Sequence, residues 1–279
     1  MSEPYKFDHD AMKTTYTLRL VSDQKLYAQN LAYDLFGKID ELEAKLSRYA
    51  HGSDIWQINH MKAGDQLFIS EETNECLRLA FEAHQITNGL FDITLGAEIE
   101  HQKNANSGKI NAGQGQLMLD PEKPLIYCEV PGRELDLGGI GKGYTLDYLL
   151  RQIDGSEGIE GGLLSAGTST QLAFGEQPWD ITLNGEENSV KVTIQNEALS
   201  ASGTSIQGEH IISPTGESRQ NNYRRVWIVH DKAAIADALS TAALLLPEAE
   251  NAELLAQTRA VYSEDSRNKV ISQLVRPLS

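Results

Sequence analysis

Strand-like and helix-like segments follow one another along this chain in an irregular order, and that order is the strongest constraint on its fold. Residues 12–21 alternate polar and apolar side chains, which is typical of a half-buried strand. Apolar residues at spacings of four, four, three and four then predict a long surface helix: Leu31, Leu35, Ile39, Leu42 and Leu46. Because the later segments lack the spacing of βαβ units, we predict an α+β fold rather than a doubly wound sheet.

Capping and turn residues indicate the other elements. Ser70 stands where an N-cap belongs, acidic residues follow it, and Asn88-Gly89 ends a helix that runs to about Thr87. The polar segment 99–124 is predicted to be irregular. Further strands are predicted at 125–130, 134–137, 162–167, 179–184, 189–195, 226–230, 259–263 and 269–275, and further helices near 142–152, 234–246 and 248–257.

Charge and composition restrict the classes of function. The chain has 24 Lys and Arg against 40 Asp and Glu, a formal net charge of −16. This argues against a broad basic surface that grips nucleic acid, whereas an anionic ligand can still bind in a locally positive pocket. Hydrophobic residues make up 40% of the 279 residues, which is enough for a real core. We predict one domain over residues 1–279, with a division into two lobes left open.

The sequence carries no pattern of export or membrane insertion. Residues 1–10 have neither a basic n-region nor an apolar h-region, and no stretch approaches the roughly 18 apolar residues of a membrane span. We therefore expect a cytoplasmic protein, or an exported one if a leader has been removed. Cys76 and Cys128 do not make a disulfide framework, although a single bridge between them stays open.

A glycine-rich turn at residues 138–143 is the first candidate site. A short strand runs into these glycines and then into a helix. Glycines let backbone N–H groups approach a ligand closely, a helix N-terminus attracts phosphate, and Lys142 adds a positive charge. The P-loop pattern fails because Gly143 follows the lysine where Ser or Thr is needed, and GxGxxG is not met either. A tight turn with a surface lysine is the structural alternative.

Asp237 and Thr241 form the second candidate site. They are four residues apart, so they share one face of a helix. A carboxylate and a hydroxyl are hard oxygen ligands suited to Mg²⁺, which often uses only one or two protein carboxylates beside substrate phosphates. Alternatively, the aspartate faces its own helix dipole and the threonine bonds back to a carbonyl. The apolar neighbours argue for a function, because an unpaired Asp inside an apolar helix is costly.

Two weaker candidates remain. His210 precedes a short apolar pair and a turn signal, where it could shuttle protons near neutral pH or could serve as a structural residue. In the segment 87–94, Phe91 could stack on a planar ring and Asp92 could accept hydrogen bonds, or Phe91 could simply anchor the core.

The order of these segments resembles that of the FAD:protein FMN transferase family, the ApbE-like flavin transferases. The resemblance runs from about Met12 to the end of the chain. Its motifs are Ser-Arg-Tyr at 47–49, Asn-Gly-Leu-Phe-Asp-Ile-Thr at 88–94, Asp-Leu-Gly-Gly-Ile-Gly-Lys-Gly-Tyr at 136–144, His-Ile-Ile-Ser-Pro-Thr-Gly at 210–216 and Ala-Asp-Ala-Leu-Ser-Thr-Ala at 236–242. It implies mainly antiparallel mixed sheets, with helices packed around a central flavin pocket.

The resemblance also implies a reaction. FAD would be split at its pyrophosphate with the help of Mg²⁺, FMN would pass to a Thr or Ser hydroxyl of an acceptor flavoprotein, and AMP would leave. By the resemblance, Asp237, Thr241 and the Gly141 carbonyl hold Mg²⁺, and His210 helps to activate the acceptor hydroxyl. The positions that match FAD contacts are Met12, Tyr49, Leu90, Phe91, Asp92, Gly138, Lys142 and Ile212.

The chain departs from the family pattern at several places. Lys13 stands where Met-Gly-Thr is usual, Ala166-Gly167-Thr168-Ser169 where Gly-Gly-Asp is frequent, and Thr204 where Ser-Gly-Asp is common. Two other functions therefore stay open: an FAD pyrophosphatase that yields FMN and AMP, and a flavin-binding protein without turnover. The chain keeps Asp237, Thr241 and His210, which favours the transferase, because a flavin-storage protein needs no general base.

Overall fold

A computed structural model describes residues 3–103, 115–203, 223–245 and 258–275 of the chain. Its largest element is an eight-stranded sheet in the order β1-β2-β6-β7-β10-β11-β12-β13, in which every neighbouring pair is antiparallel. These strands are β1 (Tyr5–Ala11), β2 (Thr14–Val21), β6 (Gly161–Ala166), β7 (Thr170–Gly175), β10 (Ala198–Gly203), β11 (Tyr223–His230), β12 (Ala260–Asp265) and β13 (Ile271–Val275).

Two smaller antiparallel sheets complete the strands. One has the order β3-β5-β4, and the other is a hairpin of β8 and β9. Their members are β3 (Gln66–Phe68), β4 (Gln116–Leu119), β5 (Leu125–Val130), β8 (Trp179–Asn184) and β9 (Ser189–Ile194). Sheets of consistently antiparallel strands together with several helices confirm the predicted α+β class.

Six helices are described: α1 (Lys25–Leu46), α2 (Asp54–Asn59), α3 (Glu71–Ile86), α4 (Gly96–Lys103), α5 (Gly141–Ile153) and α6 (Ala233–Ala243). The apolar stripe predicted a helix correctly, since Leu35, Ile39 and Leu42 are buried on α1. The Ser70 N-cap is also confirmed, because its hydroxyl accepts the N–H of Thr73 at 3.3 Å. No described helix is long and apolar enough to span a lipid bilayer.

Helices cover one face of the large sheet and the β8–β9 hairpin covers the other. Tyr16, Leu18 and Leu20 of β2 pack with α1 and α5 in one apolar cluster. Trp227 of β11 packs with Ile181 of the hairpin in another. A third cluster joins α3 and α6 to the residues around the glycine turn. The turn and α6 therefore belong to one packed body.

Residues 134–137, predicted as a strand, form none. Glu134 makes a single parallel bridge to Leu95. Next to it, the side chain of Asn59 replaces a neighbouring strand: its Oδ1 accepts the Leu135 N–H at 2.7 Å and its Nδ2 donates to the Leu135 carbonyl at 3.0 Å. The extended pattern was read correctly, but the hydrogen-bonding partner is a side chain.

Several other boundaries differ from the prediction. The first two residues of the segment 12–21, Met12 and Lys13, form the turn of a β1–β2 hairpin in which Ala11 pairs with Thr14. Part of the segment 99–124 is ordered as the end of α4 and as β4. The sequence analysis missed β1, β3, β7 and β10, and the predicted helix 248–257 lies outside the described residues.

Candidate active site at the glycine turn

Residues 136–141 fold into a tight turn that leads into α5. The Gly138 N–H donates to the Asp136 carboxylate at 2.8 Å, and the Ile140 and Gly141 N–H groups donate to the Leu137 carbonyl at 3.1 and 2.7 Å. A Cβ on Gly139 would lie 3.0 Å from the Phe91 ring and 3.3 Å from Thr241 Oγ1. A side chain at position 139 would therefore have to displace the Phe91 ring or the Thr241 hydroxyl, and glycine lets the turn lie against α6 and Phe91.

Asp237 of α6 points towards the start of α5. Asp237 is buried, with only 3% of its surface exposed. Oδ2 accepts the Gly143 N–H at 3.2 Å, and Oδ1 lies 3.3 Å from the Ser200 hydroxyl on β10. The aspartate therefore serves the N-terminus of another helix rather than its own, and this hydrogen bonding offsets its burial cost.

Thr241 lies one turn further along α6, on the same face as Asp237. Its Oγ1 lies 3.3 Å from the Asp237 carbonyl and 3.2 Å from Ser202 Oγ, and Ser202 Oγ lies 2.7 Å from Ser240 Oγ. The Thr241 hydroxyl bonds back to the Asp237 carbonyl of its own helix, as the structural alternative predicted, and it also faces Gly139. The structural interpretation applies, and the metal-ligand interpretation stays a prediction that this bond does not exclude, because a hydroxyl that donates one hydrogen bond keeps lone pairs free.

Met12 approaches the same turn from the β1–β2 hairpin. Its sulfur lies 3.6 Å from Thr145 Oγ1, which in turn donates to the Gly141 carbonyl at 2.8 Å. Tyr16 Oη donates to the same sulfur at 3.1 Å, and burial raises the pKa of this tyrosine above its ordinary value, so that it remains a donor. Gly141 is the first residue of α5, so its carbonyl is also placed to accept the helical Thr145 N–H, and a cation held there would share this oxygen with Thr145.

The rim of the turn carries three cations. Lys13 Nζ lies 4.2 Å from the centroid of the Tyr49 ring, which is half exposed. Arg48 is paired with Glu134 at 2.5 Å and with Asp136 at 3.3 Å, which ties the loop after α1 to the turn. Lys142 Nζ donates to the Gly138 carbonyl at 3.1 Å. Tyr49 Oη reaches Glu100 of α4 at 3.2 Å.

The segment 90–92 lies beside the turn with its backbone fixed. Thr87 Oγ1 accepts the Phe91 N–H at 3.0 Å, and His84 Nδ1 lies 2.8 Å from the Phe91 carbonyl. Phe91 is 5% exposed, so it anchors the core while its ring edge faces Gly139. Leu90 packs partly buried against the same cluster.

Asp92 opens onto a groove between α3 and the β3-β5-β4 sheet. Its Oδ1 accepts the N–H and the hydroxyl of Thr94, each at 2.8 Å. The groove holds about 460 Å³ and is lined by apolar side chains together with His84, Asp92 and Arg133. Asp92 is therefore already engaged in a local turn, and only its second oxygen can serve a ligand there.

Of the predicted site residues, ten lie around the turn and two lie outside the described residues. His210 and Ile212 are the two outside. The sequence analysis missed Ser200 and Asp147. The alternating serines of the segment 198–203 are the signal that could have revealed β10, because side chains two apart share one face of a strand.

The oxygen donors at the turn fit Mg²⁺. Asp237 supplies one carboxylate, Thr241 one hydroxyl and Gly141 one carbonyl, all of them hard ligands. Among the residues that the structure describes, no group of three or more His, Cys, Asp or Glu could hold a metal ion. A cation that needs a single carboxylate and completes its shell with water and phosphate is the one that matches this set.

Fold and site together define an α+β protein with a carboxylate–hydroxyl pair set against a glycine-rich helix start. The chain belongs to the ApbE family, whose model matches residues 12–262. The FAD:protein FMN transferase of Salmonella typhimurium is 24% identical over 268 residues, which cover 84% of this chain and 76% of that protein. The enzyme of the same name from Escherichia coli K12 is 26% identical over 259 residues, 81% of this chain and 74% of that protein.

A solved structure agrees with the fold. The crystal structure of the apo form of the Pseudomonas stutzeri flavinyl transferase ApbE superposes with a TM-score of 0.80. The two chains are 20% identical, and the match covers 97% of this chain and 94% of that one. At this identity the likeness shows the shared fold, and it confirms the architecture expected from the family resemblance.

Proposed function

We propose that this chain is an FAD:protein FMN transferase, which moves FMN from FAD to a Thr or Ser hydroxyl of an acceptor protein and releases AMP. Membership of the ApbE family and the names of its curated relatives support the reaction class. The observation that carries the proposal is the placement of Asp237 and Thr241 beside the side-chain-free turn at Gly139. The missing side chain at Gly139 lets the turn pack directly against α6, so that the Thr241 hydroxyl faces it.

The proposed reaction is a phosphoryl-type transfer. The acceptor oxygen forms a bond to the FMN-side phosphorus of the pyrophosphate, and the bond from that phosphorus to the bridging oxygen breaks. The hydroxyl proton goes to a base, for which we propose His210, and the bridging oxygen leaves on AMP. General-base help of this kind contributes roughly 10²–10⁴-fold to a rate. Most of the remaining work is positioning and neutralisation of charge.

Each proposed role rests on a contact already described. Asp237, Thr241 and the Gly141 carbonyl would hold Mg²⁺, which when bound supplies Lewis-acid neutralisation of the pyrophosphate oxygens. Lys142 lies over the Gly138 carbonyl, from which its ammonium can turn to a phosphate. Tyr49, which is half exposed with Lys13 over its ring, offers aromatic surface at the rim of the turn, whereas Phe91 packs in the core against Gly139.

The test uses the full chain with FAD, Mg²⁺ and an acceptor protein that carries the target threonine. We expect AMP in the supernatant and a mass increase of one FMN on the acceptor, and EDTA should abolish both. FMN and AMP without a labelled acceptor would support the pyrophosphatase instead. Tight FAD binding without AMP under any of these conditions would refute both enzymatic functions.

Asp237→Ala is the sharpest substitution for the metal assignment. We expect it to remove AMP release together with the response to Mg²⁺, because the single carboxylate of the site is lost. Asp237→Asn serves as the matched variant, since its amide oxygen can still accept the Gly143 N–H while the charge is gone. Unchanged AMP release in both variants would contradict the metal assignment.

A further inference from the structure

The first turns of α5 and α6 meet in a reciprocal contact. Asp147 of α5 accepts the N–H groups of Ala233 and Ala234 at the start of α6, one on each carboxylate oxygen and each at 2.8 Å. Lys232, the N-cap of α6, provides no side-chain cap of its own. The start of α6 is therefore capped by the neighbouring helix rather than by its own chain.

The second half of the contact runs in the opposite direction. Asp237 of α6 accepts the N–H of Gly143 at 3.2 Å. Asp147 follows Gly143 by four residues, and Asp237 follows Ala233 by four residues. Each helix thus presents an N–H group in its first turn and, one turn later, the carboxylate that caps its partner. Bonds of this type are charge-assisted, which makes them stronger than bonds between neutral groups.

Backbone contact fixes the distance between the two helices. A Cβ on Gly143 would lie 2.6 Å from the Ala233 carbonyl carbon and 2.8 Å from Ala234 Cα, and it would overlap the Ala233 carbonyl oxygen as well. The helices therefore touch without an intervening side chain. With the separation fixed in this way, the two aspartates restrict rotation and sliding of α6 along α5, in addition to the packing of α6 on β10 and β11.

We propose that Asp147 is a positioning residue for the site: by holding the start of α6 it sets the place of Asp237 and Thr241 against the glycine turn. The kinetic consequence of this inference rests on the proposed function, whereas the positioning of α6 by Asp147 does not depend on that function. Groups that orient a metal ligand from outside the ligand set typically change metal affinity by about 10–100-fold when removed. A cap that only stabilises the helix would change the free energy of unfolding alone.

The test compares Asp147→Asn with Asp54→Asn in the full chain. Asp54 is the matched control because its Oδ2 accepts the N–H and hydroxyl of Ser70, at 2.9 and 2.6 Å, and so fixes the start of α3 from a neighbouring helix. Asparagine keeps an acceptor in both cases and removes the charge. Should Asp147→Asn fail to fold, Asp147→Glu keeps the carboxylate but misplaces it by one methylene group.

We expect Asp147→Asn to raise the Mg²⁺ concentration for half-maximal AMP release about 10-fold, with a smaller shift for Asp147→Glu. Asp54→Asn should lower stability in urea to a similar extent without moving this concentration. Equal Mg²⁺ dependence in the two asparagine variants would overturn the inference.

Hydrogen exchange of the Gly143 amide gives a readout that does not depend on turnover. We expect faster exchange of this amide in Asp147→Asn, because loosening α6 withdraws Asp237 from it, and unchanged exchange in Asp54→Asn. If the wild-type chain releases no AMP, the proposed function fails while this exchange result still stands or falls alone. Gly143 exchange equal in wild type and Asp147→Asn would refute the positioning role whatever the enzyme does.

Discussion

Gly143→Ala tests whether the contact between α5 and α6 is as tight as the structure shows. Gly143 is the third residue of α5, and a methyl group there would meet the backbone of Ala233 and Ala234. These neighbours are backbone atoms at the start of a helix, so they cannot turn away as a side chain would. The helices must separate or slide to admit the methyl group.

The magnitude follows from a comparison with Gly37→Ala. Gly37 lies inside α1 with nothing within 4 Å of the position of a Cβ. Alanine there should therefore stabilise the protein by the ordinary helix-propensity gain of about 0.5–1 kcal/mol. Gly143→Ala makes the same gain but adds an overpacking cost of about 1–3 kcal/mol. Because the propensity gains roughly cancel, the two variants should differ in unfolding free energy by about 1–3 kcal/mol.

Urea denaturation at equilibrium measures this difference. The urea midpoint of Gly37→Ala should lie above that of wild type, and the midpoint of Gly143→Ala should lie below that of Gly37→Ala. The slopes of unfolding free energy against urea concentration should be similar. Gly143→Ala should also need more Mg²⁺ for half-maximal AMP release, because the Gly143 N–H moves away from Asp237. If Gly143→Ala proved as stable as Gly37→Ala and kept the wild-type Mg²⁺ dependence, the close contact and the argument built on it would be wrong.

Two further predictions concern the hairpin and the pH dependence of stability. Lys13 has φ +58°, so Lys13→Gly should relieve about 1–2 kcal/mol of backbone strain and lose about 0.5–1 kcal/mol of contact with Tyr49; a lower urea midpoint for the variant would contradict this. Burial raises the pKa of Asp147 from 3.8 to about 6, so the folded protein holds this proton more tightly than the unfolded chain and ionising the carboxyl costs folding free energy. Wild type should therefore lose part of its stability relative to Asp147→Asn as the pH rises from about 4 through 6, and a constant difference in urea midpoint would disprove it.

Local signals in the sequence predicted much of the framework. The stripe of α1 and the Ser70 cap involve residues within one or two helical turns, so their pattern is visible in the sequence itself. The same holds for Asp237 and Thr241, whose spacing of four residues is a property of any helix. The sequence analysis did not predict a strand at residues 198–203, because Ala, Ser and Gly have weak strand propensity. These residues form β10 because small side chains suit a strand packed against α6.

The role of Asp147 could not be predicted in this way. Its partner Ala233 is 86 residues away along the chain, and the contact exists only after α5 and α6 have packed together. Likewise Asn59 caps residue 135 across 76 residues and replaces a strand that the alternating pattern had predicted. Tertiary hydrogen bonds of this kind depend on the docked arrangement, whereas propensity and periodicity describe only the local chain.

The hydrogen bonds of the turn change the hypothesis that the sequence suggested for phosphate binding. The N–H groups of Gly138, Ile140, Gly141 and Gly143 all donate to protein acceptors. Asp237 caps the first turn of α5 and Asp147 caps the first turn of α6, so these two carboxylates neutralise the positive ends of both helix dipoles. These backbone groups therefore add little to the charge compensation of a pyrophosphate in a chain of net charge −16. The compensation must come from Lys142, from Lys13 and from the cation that Asp237 is proposed to hold, and for that reason chelation should abolish AMP release rather than weaken it.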